Sequence, residues 1–223
     1  MATAPSSLLR LEASSLRERA AESIRNGITT GEIRAGELYS VPTLAARLGV
    51  SATPVREAML DLANEGLVEA VRNRGFRVVE LAETDLDEIL EVRIMLEVPA
   101  AGRLACELPP DAAPRLEALV AETEARAKAA DVEGFLTGDR AFHLALVELV
   151  ANRRLAELVA RLRDQTRLYG LPDLLASGIL ETAAADHRAI LDAILTGNRK
   201  AADATMRRHL EETTRGVWTG GAP

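Results

Sequence analysis

The chain has 223 residues, a formal charge of -7 and one cysteine. A single thiol excludes a disulfide framework and fits a reducing compartment. No stretch approaches the ~20 apolar residues of a membrane span, so a cytoplasmic protein with no membrane partner is expected. The net charge alone argues against a nucleic-acid binder, but it is unevenly placed. Residues 1–82 hold 10 Lys+Arg and 10 Asp+Glu, whereas residues 83–223 hold 17 and 24. Such a split suits two domains with different tasks. The composition is 48% hydrophobic yet only 3% aromatic. The core must therefore be aliphatic, and the abundance of Leu, Ala, Glu and Arg predicts a mainly helical fold.

Residues 1–14 read as a disordered tail. Leu16, Ala20, Ile24 and Ile28 then recur at helical spacing, and Gly31 ends that helix. A short helix follows Pro42 through Leu44, Ala45 and Leu48 and closes at Gly49. A third carries Val55, Ala58, Met59 and Leu62 on one face, with Thr53 or Ser51 as its cap and Pro54 near its start. The period then changes. Leu67–Val71 and Phe76–Val79 are short β-prone runs joined by Arg72-Asn73-Arg74-Gly75, a tight turn. Three helices and a hairpin over residues 15–80 predict a winged helix-turn-helix.

Beyond Leu81 longer helices are expected near 84–107, 111–130, 132–150, 153–169, 178–196 and 198–215, forming an antiparallel all-α bundle over residues 84–215. Thr84 with Asp87 suits the first start, and Pro99 predicts a kink within that helix. Pro109-Pro110, Gly170-Leu171-Pro172 and Gly197-Asn198 separate the others.

Each part carries one chemical signal. In the first, a short helix, a turn with Gly49 and a second helix would set small and hydroxyl residues against DNA. Ser51, Ala52 and Thr53 permit close approach, and Arg56 can donate to phosphate or guanine. Arg72, Asn73 and Arg74 of the wing can reach the backbone or minor groove. A small helical domain with surface arginines would show the same spacing. The stretch "LAARLGVSATPVREAMLDLANEGLVEAVRNRGFRV", however, resembles the head of GntR-family transcriptional regulators. The resemblance implies binding of a palindromic double-stranded DNA operator by a homodimer. Two arginines common in that family are replaced, by Ala52 and Pro42. A different operator sequence is expected, with Ala52 able to meet a thymine methyl.

In the second part, the three histidines of the chain, His143, His187 and His209, each fall on the apolar face of a separate helix, and Asp139 lies four residues before His143. Burying these groups separately would be costly, and gathering them around a divalent cation removes that cost. Imidazoles and a carboxylate suit zinc first, with nickel, manganese or iron as alternatives. Three separately hydrogen-bonded core histidines are the competing account. The segments "EVRIMLE", "DRAFHLAL", "DHRAILDAI" and "RRHLEE" resemble the FCD ligand-binding domain of FadR-type GntR regulators. That resemblance implies six or seven helices and assigns the metal ligands to Asp139, His143, His187 and His209.

Arg93 and Glu97 share an apolar stripe. They form either an internal ion pair or an effector-binding pair in which Arg93 grips a carboxylate. Asn152 is either a helix cap or a ligand contact. The expected function is a metabolite-responsive regulator, a repressor, whose operator affinity changes when a small carboxylate binds beside the metal. A purely structural metal is the alternative. A metal-dependent hydrolase is a third reading, disfavoured because no separate general base or nucleophile motif is present.

Overall fold

The computed structural model describes residues 12–29, 31–166 and 179–214. The chain divides between Glu80 and Leu81 into two units, each with its own core. The expected helix end near 169, the Gly170-Leu171-Pro172 break, a start at 178 and most of the N-terminal tail lie outside the described residues.

In the first unit, α1 (Glu12–Thr29) buries Ala20, Ala21, Ile24 and Ile28, whereas Leu16 is exposed rather than in the stripe. The helix begins inside the expected tail. The short α2 (Val41–Leu48) is capped by Ser40, whose hydroxyl accepts from the Thr43 N–H, and it ends at Gly49 with φ 67°. α3 (Ala52–Asn64) buries Val55, Ala58, Met59 and Leu62. Ser51, not Thr53, is its N-cap position. Pro54 therefore occupies the third helical position, where its missing N–H costs nothing because the first four donors lack intrahelical partners. Arg17 pairs with Asp61, and Arg25 pairs with Glu65 at 2.8 Å, so two ion pairs tie α1 to α3.

The wing is a three-stranded antiparallel sheet in the order β1 (Leu38–Tyr39), β3 (Gly75–Val78), β2 (Val68–Val71). β1 is too short to leave a period in the sequence. The hairpin pairs Val71 with Gly75, and Arg74 N–H closes the turn on the Val71 carbonyl at 3.0 Å. Asn73 takes the left-handed conformation at φ 59°, and Gly75 sits at φ 130°. A Cβ on Gly75 would stand 2.2 Å from the Tyr39 carbonyl oxygen. The glycine is thus needed both for its backbone angle and for the approach of β1.

The second unit is a helical bundle: α4 (Glu83–Glu107), α5 (Ala113–Lys128), α6 (Val132–Leu149), α7 (Arg153–Thr166), α8 (Ile179–Leu195) and α9 (Arg199–Arg208), the last running on into a π-helical turn (His209–Thr214). α4 starts one residue before the expected Thr84. The capping side chain is Asp85, which accepts from the Ala82 N–H at 2.7 Å. Pro99 does not interrupt α4. Pro99 and Met95 are both exposed, so the carbonyl freed by the missing N–H lies on the wet side of the helix, where water can satisfy it. Asp131 caps α6 and Asn198 caps α9.

Leu104, Leu116, Val120, Phe142, Leu146, Val159, Ile190, Leu191 and Leu210 are central to one apolar core drawn from every helix of the bundle. Arg188 on α8 reaches Glu117 at 2.5 Å and Glu124 at 3.0 Å on α5 and clamps the two helices on their outer side. α4 and α9 approach closely at Gly102, where a Cβ would meet the Asp203 carboxylate at 1.9 Å. No described helix is long and apolar enough to cross a membrane.

Gly75→Ala should lower the stability of the first unit by about 1–3 kcal/mol through backbone strain and the clash with β1. Urea denaturation followed by circular dichroism checks this, and an unchanged midpoint would remove the argument from close approach.

Candidate functional site

Asp139 and His143 lie one turn apart on α6, His187 comes from α8, and His209 sits where α9 passes into the π-helical turn. Their ligating atoms all lie within 4.8 Å of one another. Among the described residues, this is the group of His and carboxylate donors close enough to hold a metal ion. The three histidines are buried and Asp139 is partly so. His143 Nε2 is 3.1 Å from His209 Nε2, and Asp139 Oδ1 lies 3.2 Å from His187 Nε2 and 3.8 Å from His143 Nε2. The phenyl ring of Phe142 lies against His187, with ring centroids 4.7 Å apart, and Phe135 is parallel to the same imidazole at 6.4 Å.

A second layer holds these groups in place. Glu97 on α4 faces His143 Nδ1 at 2.6 Å. An ionised carboxylate only accepts, so Nδ1 must carry the proton and Nε2 must present its lone pair. Asp186 stands 3.5 Å from His209 Nδ1, orienting the ring at long range, and is also bound by Arg208 at 2.8 Å. Glu97 in addition accepts from Arg93 Nε at 2.7 Å and from Arg163 Nη1 at 3.2 Å. The other end of the Arg163 guanidinium donates to Asp139 Oδ2. Buried and partly buried polar groups thus form a continuous seam from Arg93 to Asp186, which the exposed Arg208 closes at the surface.

The electrostatics follow from this seam. Burial alone would push the Glu97 carboxyl up, but Arg93, Arg163 and the His143 ring hold it well below the ordinary carboxylate range. Asp139 is also held well below its ordinary range against burial, by Arg163, His187 and His143. Burial holds His143 well down, with Arg163 adding to it and Glu97 opposing. Burial lowers His209 as well, against the pull of Asp186. Desolvation and the nearby Arg163 lower Arg93, opposed by Glu97.

The donor set fits a divalent cation. His143 and His209 direct Nε2 atoms at each other across 3.1 Å. Without an ion, His209 carries its proton on Nε2 and donates to His143 Nε2; a cation between the two rings would instead take both Nε2 lone pairs, with the His209 proton on Nδ1 facing Asp186. His187 Nδ1 is buried without a hydrogen-bond partner, and His187 Nε2 and His209 Nδ1 have only the poorly aligned carboxylates of Asp139 at 3.2 Å and Asp186 at 3.5 Å, a costly arrangement unless a ligand or ion engages the cluster.

The other residues singled out in the sequence occupy distinct places. Arg93 and Glu97 are paired and buried, and Glu97 turns its second oxygen to His143 and Arg163. Asn152 is exposed, and its side-chain oxygen accepts from the Leu155 N–H at 3.2 Å as the cap of α7. The structure does not bring it into the histidine group. Ser51, Ala52, Thr53 and Arg56 are exposed around the start of α3, and Arg72, Asn73 and Arg74 are exposed at the tip of the wing.

Sequence reasoning missed Arg163 and Asp186. Arg163 shares the buried stripe of α7 with Val159 and Thr166. The same signal, a cation on an apolar face, had marked Arg93. Asp186 immediately precedes His187, and nothing in its own spacing distinguishes it.

For the metal-free chain, the lowered imidazoles make stability depend on pH. Unfolded histidines take up protons as pH falls through 6.5, whereas His143 and His209 in the fold do not. The depressed Glu97 then adds its own loss below its ordinary 4.5. Both effects act in one direction, so stability present above pH 6.5 declines on acidification. The midpoint of urea unfolding should fall between pH 6.5 and 4.5; a flat profile would contradict the assignment.

The amino-acid sequence matches two family models: "Bacterial regulatory proteins, gntR family" over residues 16–78 and "FCD domain" over residues 88–212. The HTH-type transcriptional regulator YdhC of Bacillus subtilis is 29% identical over 83% of this chain and 84% of its own length. A probable D-xylose utilization operon transcriptional repressor of Paenarthrobacter nicotinovorans is 32% identical over 82% of this chain and 80% of its own. The solved structure of Escherichia coli McbR/YncC shares the fold, with a TM-score of 0.75 at 24% identity, covering 92% of this chain and 97% of that one. The chain therefore belongs to the GntR family of bacterial transcriptional regulators, a DNA-binding helix-turn-helix protein with an FCD domain.

Proposed function

We propose that the protein is a metabolite-responsive regulator, acting as a repressor, whose operator affinity is set by a small carboxylate bound beside a divalent cation. The observation that carries this reading is the meeting of Asp139, His143, His187 and His209 within 4.8 Å. These four residues would hold the ion, with zinc the best match to the donors and nickel, manganese or iron as alternatives. Such an ion would supply a Lewis-acidic centre to which a carboxylate oxygen can bind. Glu97 fixes the tautomer of His143, and Arg163 neutralises the outer oxygen of Asp139, so both side chains are set before the ion arrives. Arg93 supplies a buried guanidinium whose Nη2 lacks a partner, and an effector carboxylate would give that nitrogen an acceptor.

On the operator, two copies of the chain would read the halves of a palindrome. The start of α3 would enter the major groove, with Ser51, Ala52 and Thr53 allowing close approach and Arg56 donating to phosphate or guanine. Arg72, Asn73 and Arg74 would contact the backbone or the minor groove. α4, which carries Arg93 and Glu97, starts three residues after the boundary between the units. A shift of α4 on effector binding would reach that boundary directly and alter the spacing of the two heads.

Two measurements test this reading. Arg56→Ala should reduce operator affinity by about tenfold or more, read by fluorescence anisotropy; an unchanged titration would exclude Arg56 from the interface. Metal analysis of the purified chain should find about one divalent ion per chain. A chelator should lower its melting temperature, and small carboxylates should raise it and weaken operator binding. If the chelator destabilises the protein but no carboxylate shifts melting or affinity, the ion is a structural staple and the sensing mechanism fails.

A further inference from the structure

On the reading that two copies of the chain act together, we infer that they meet through the outer face of α4, laid antiparallel against the same face of the second copy and centred on Met95. This face has no partner among the described residues. Met95 is 62% exposed, the most open large apolar side chain described, and Val92 on the turn before it is 38% exposed. Pro99 is exposed one turn further on, and Leu96 is half-buried beside Met95. On α7, which meets α4 through Arg163 and Glu97, Leu158 is also exposed, on the side turned away from the Arg140–Asp164 contact with α6. Single exposed apolar residues are ordinary, but a row of them along one helix marks an interaction surface.

Charge at the ends of the row selects the occupant. The row continues to Glu88 at one end and Arg103 at the other, both exposed. Glu88 forms no ion pair among the described residues. Arg103 pairs with Glu107 of its own helix at 3.1 Å, an exposed contact that holds it weakly. Followed from either end, the row is a charge, an apolar residue, Met95, an apolar residue and the opposite charge. A second α4 laid antiparallel therefore sets Glu88 against Arg103, Val92 against Pro99, and Met95 against Leu96 beside the two-fold axis. Each contact then occurs twice, as an isologous interface requires. A parallel pair would instead set Glu88 on Glu88 and bring the acidic first turns, with Glu83 and Asp85, together. Antiparallel helix dipoles add to the same preference. Met95 suits the centre, because an unbranched thioether adapts its shape to a partner. The Met95 carbonyl freed by Pro99 can keep its water there as a bridge between the two helices.

The register also sets a length. At the helical rise of ~1.5 Å per residue, Glu83 lies about 19 Å from the axis, and the starts of the two α4 helices lie about 37 Å apart. Half-sites one turn of B-DNA apart are separated by about 34–36 Å. The DNA-reading unit ends at Glu80, just before α4, so the two points of attachment match the period of a palindrome read on one face of the duplex.

The test uses the full-length chain in sedimentation velocity over a concentration series. Met95→Lys should raise the dimer dissociation constant about tenfold or more, with circular dichroism showing that the helical content is kept. Glu88→Arg and Arg103→Glu should each weaken the dimer, and the double variant should return to within about threefold of the parent. If Met95→Lys does not fold, cysteine pairs carry the test. Val92→Cys and Pro99→Cys, each combined with Cys106→Ser, should give a disulfide-linked dimer on oxidation when mixed, and little when either is oxidised alone. A dimer that survives Met95→Lys unchanged and yields no mixed cross-link would overturn this surface while leaving the two-copy reading of the operator intact. Cross-linking of each variant to itself in place of the mixed pair would overturn the antiparallel register. A parent chain that stays monomeric and binds its operator as one copy would overturn both the surface and the two-copy reading.

Discussion

Glu97 is the buried anion on which the interior of the helical domain is organised. One carboxylate, 1% exposed, meets Arg93 from its own helix, His143 from α6 and Arg163 from α7. Without it, two guanidinium groups would lie in an apolar core with one anion, Asp139, between them, and His143 would lose the acceptor that sets its tautomer. A buried ion network of this kind contributes little net stability compared with well-packed hydrophobic side chains. It does specify which helix faces which, because each charge has one place where it is satisfied. The aliphatic core around it supplies the driving force, and the polar seam selects the arrangement.

Much of this was legible in the sequence because it was written in periods. Asp139 and His143, four apart, had to share a face of a helix. His187 aligned with Ile190, Leu191 and Ile194, and His209 with Met206 and Leu210; the structure buries eight of these nine residues, and Asp139 is partly buried. The helix-turn-helix was equally readable, since apolar spacing, Gly49 and the change to β-prone runs coincide. What periodicity does not encode was missed. β1 has two residues and exists because β3 lies beside it. The start of α4 depends on which of several acidic side chains reaches back to a free N–H, and that is decided by a turn of backbone rather than by composition. Leu16 fits the stripe of α1 but is exposed, because spacing tells which face a residue occupies and not where the packing partner ends.

The site shows the same division. The four donors were found as a pattern, whereas Arg163 acquires its role from α7 packing beside α4 and α6. The alternatives left open for Arg93 and Glu97 are not exclusive in the structure. The pair exists, yet one nitrogen of Arg93 remains unsatisfied while Glu97 is already shared. The sequence could suggest the pair, but not the unequal distribution of acceptors around it.

The close approach of α4 and α9 at Gly102 has a consequence for how motion can travel. With the Asp203 carboxylate lying where any larger residue on α4 would place its first carbon, the two helices are keyed together along their axes, and neither can slide without breaking that fit. α4 bears Arg93 and Glu97, and the chain of α9 continues into His209. A displacement of α4 that kept this fit would therefore carry His209 along with Arg93 and Glu97.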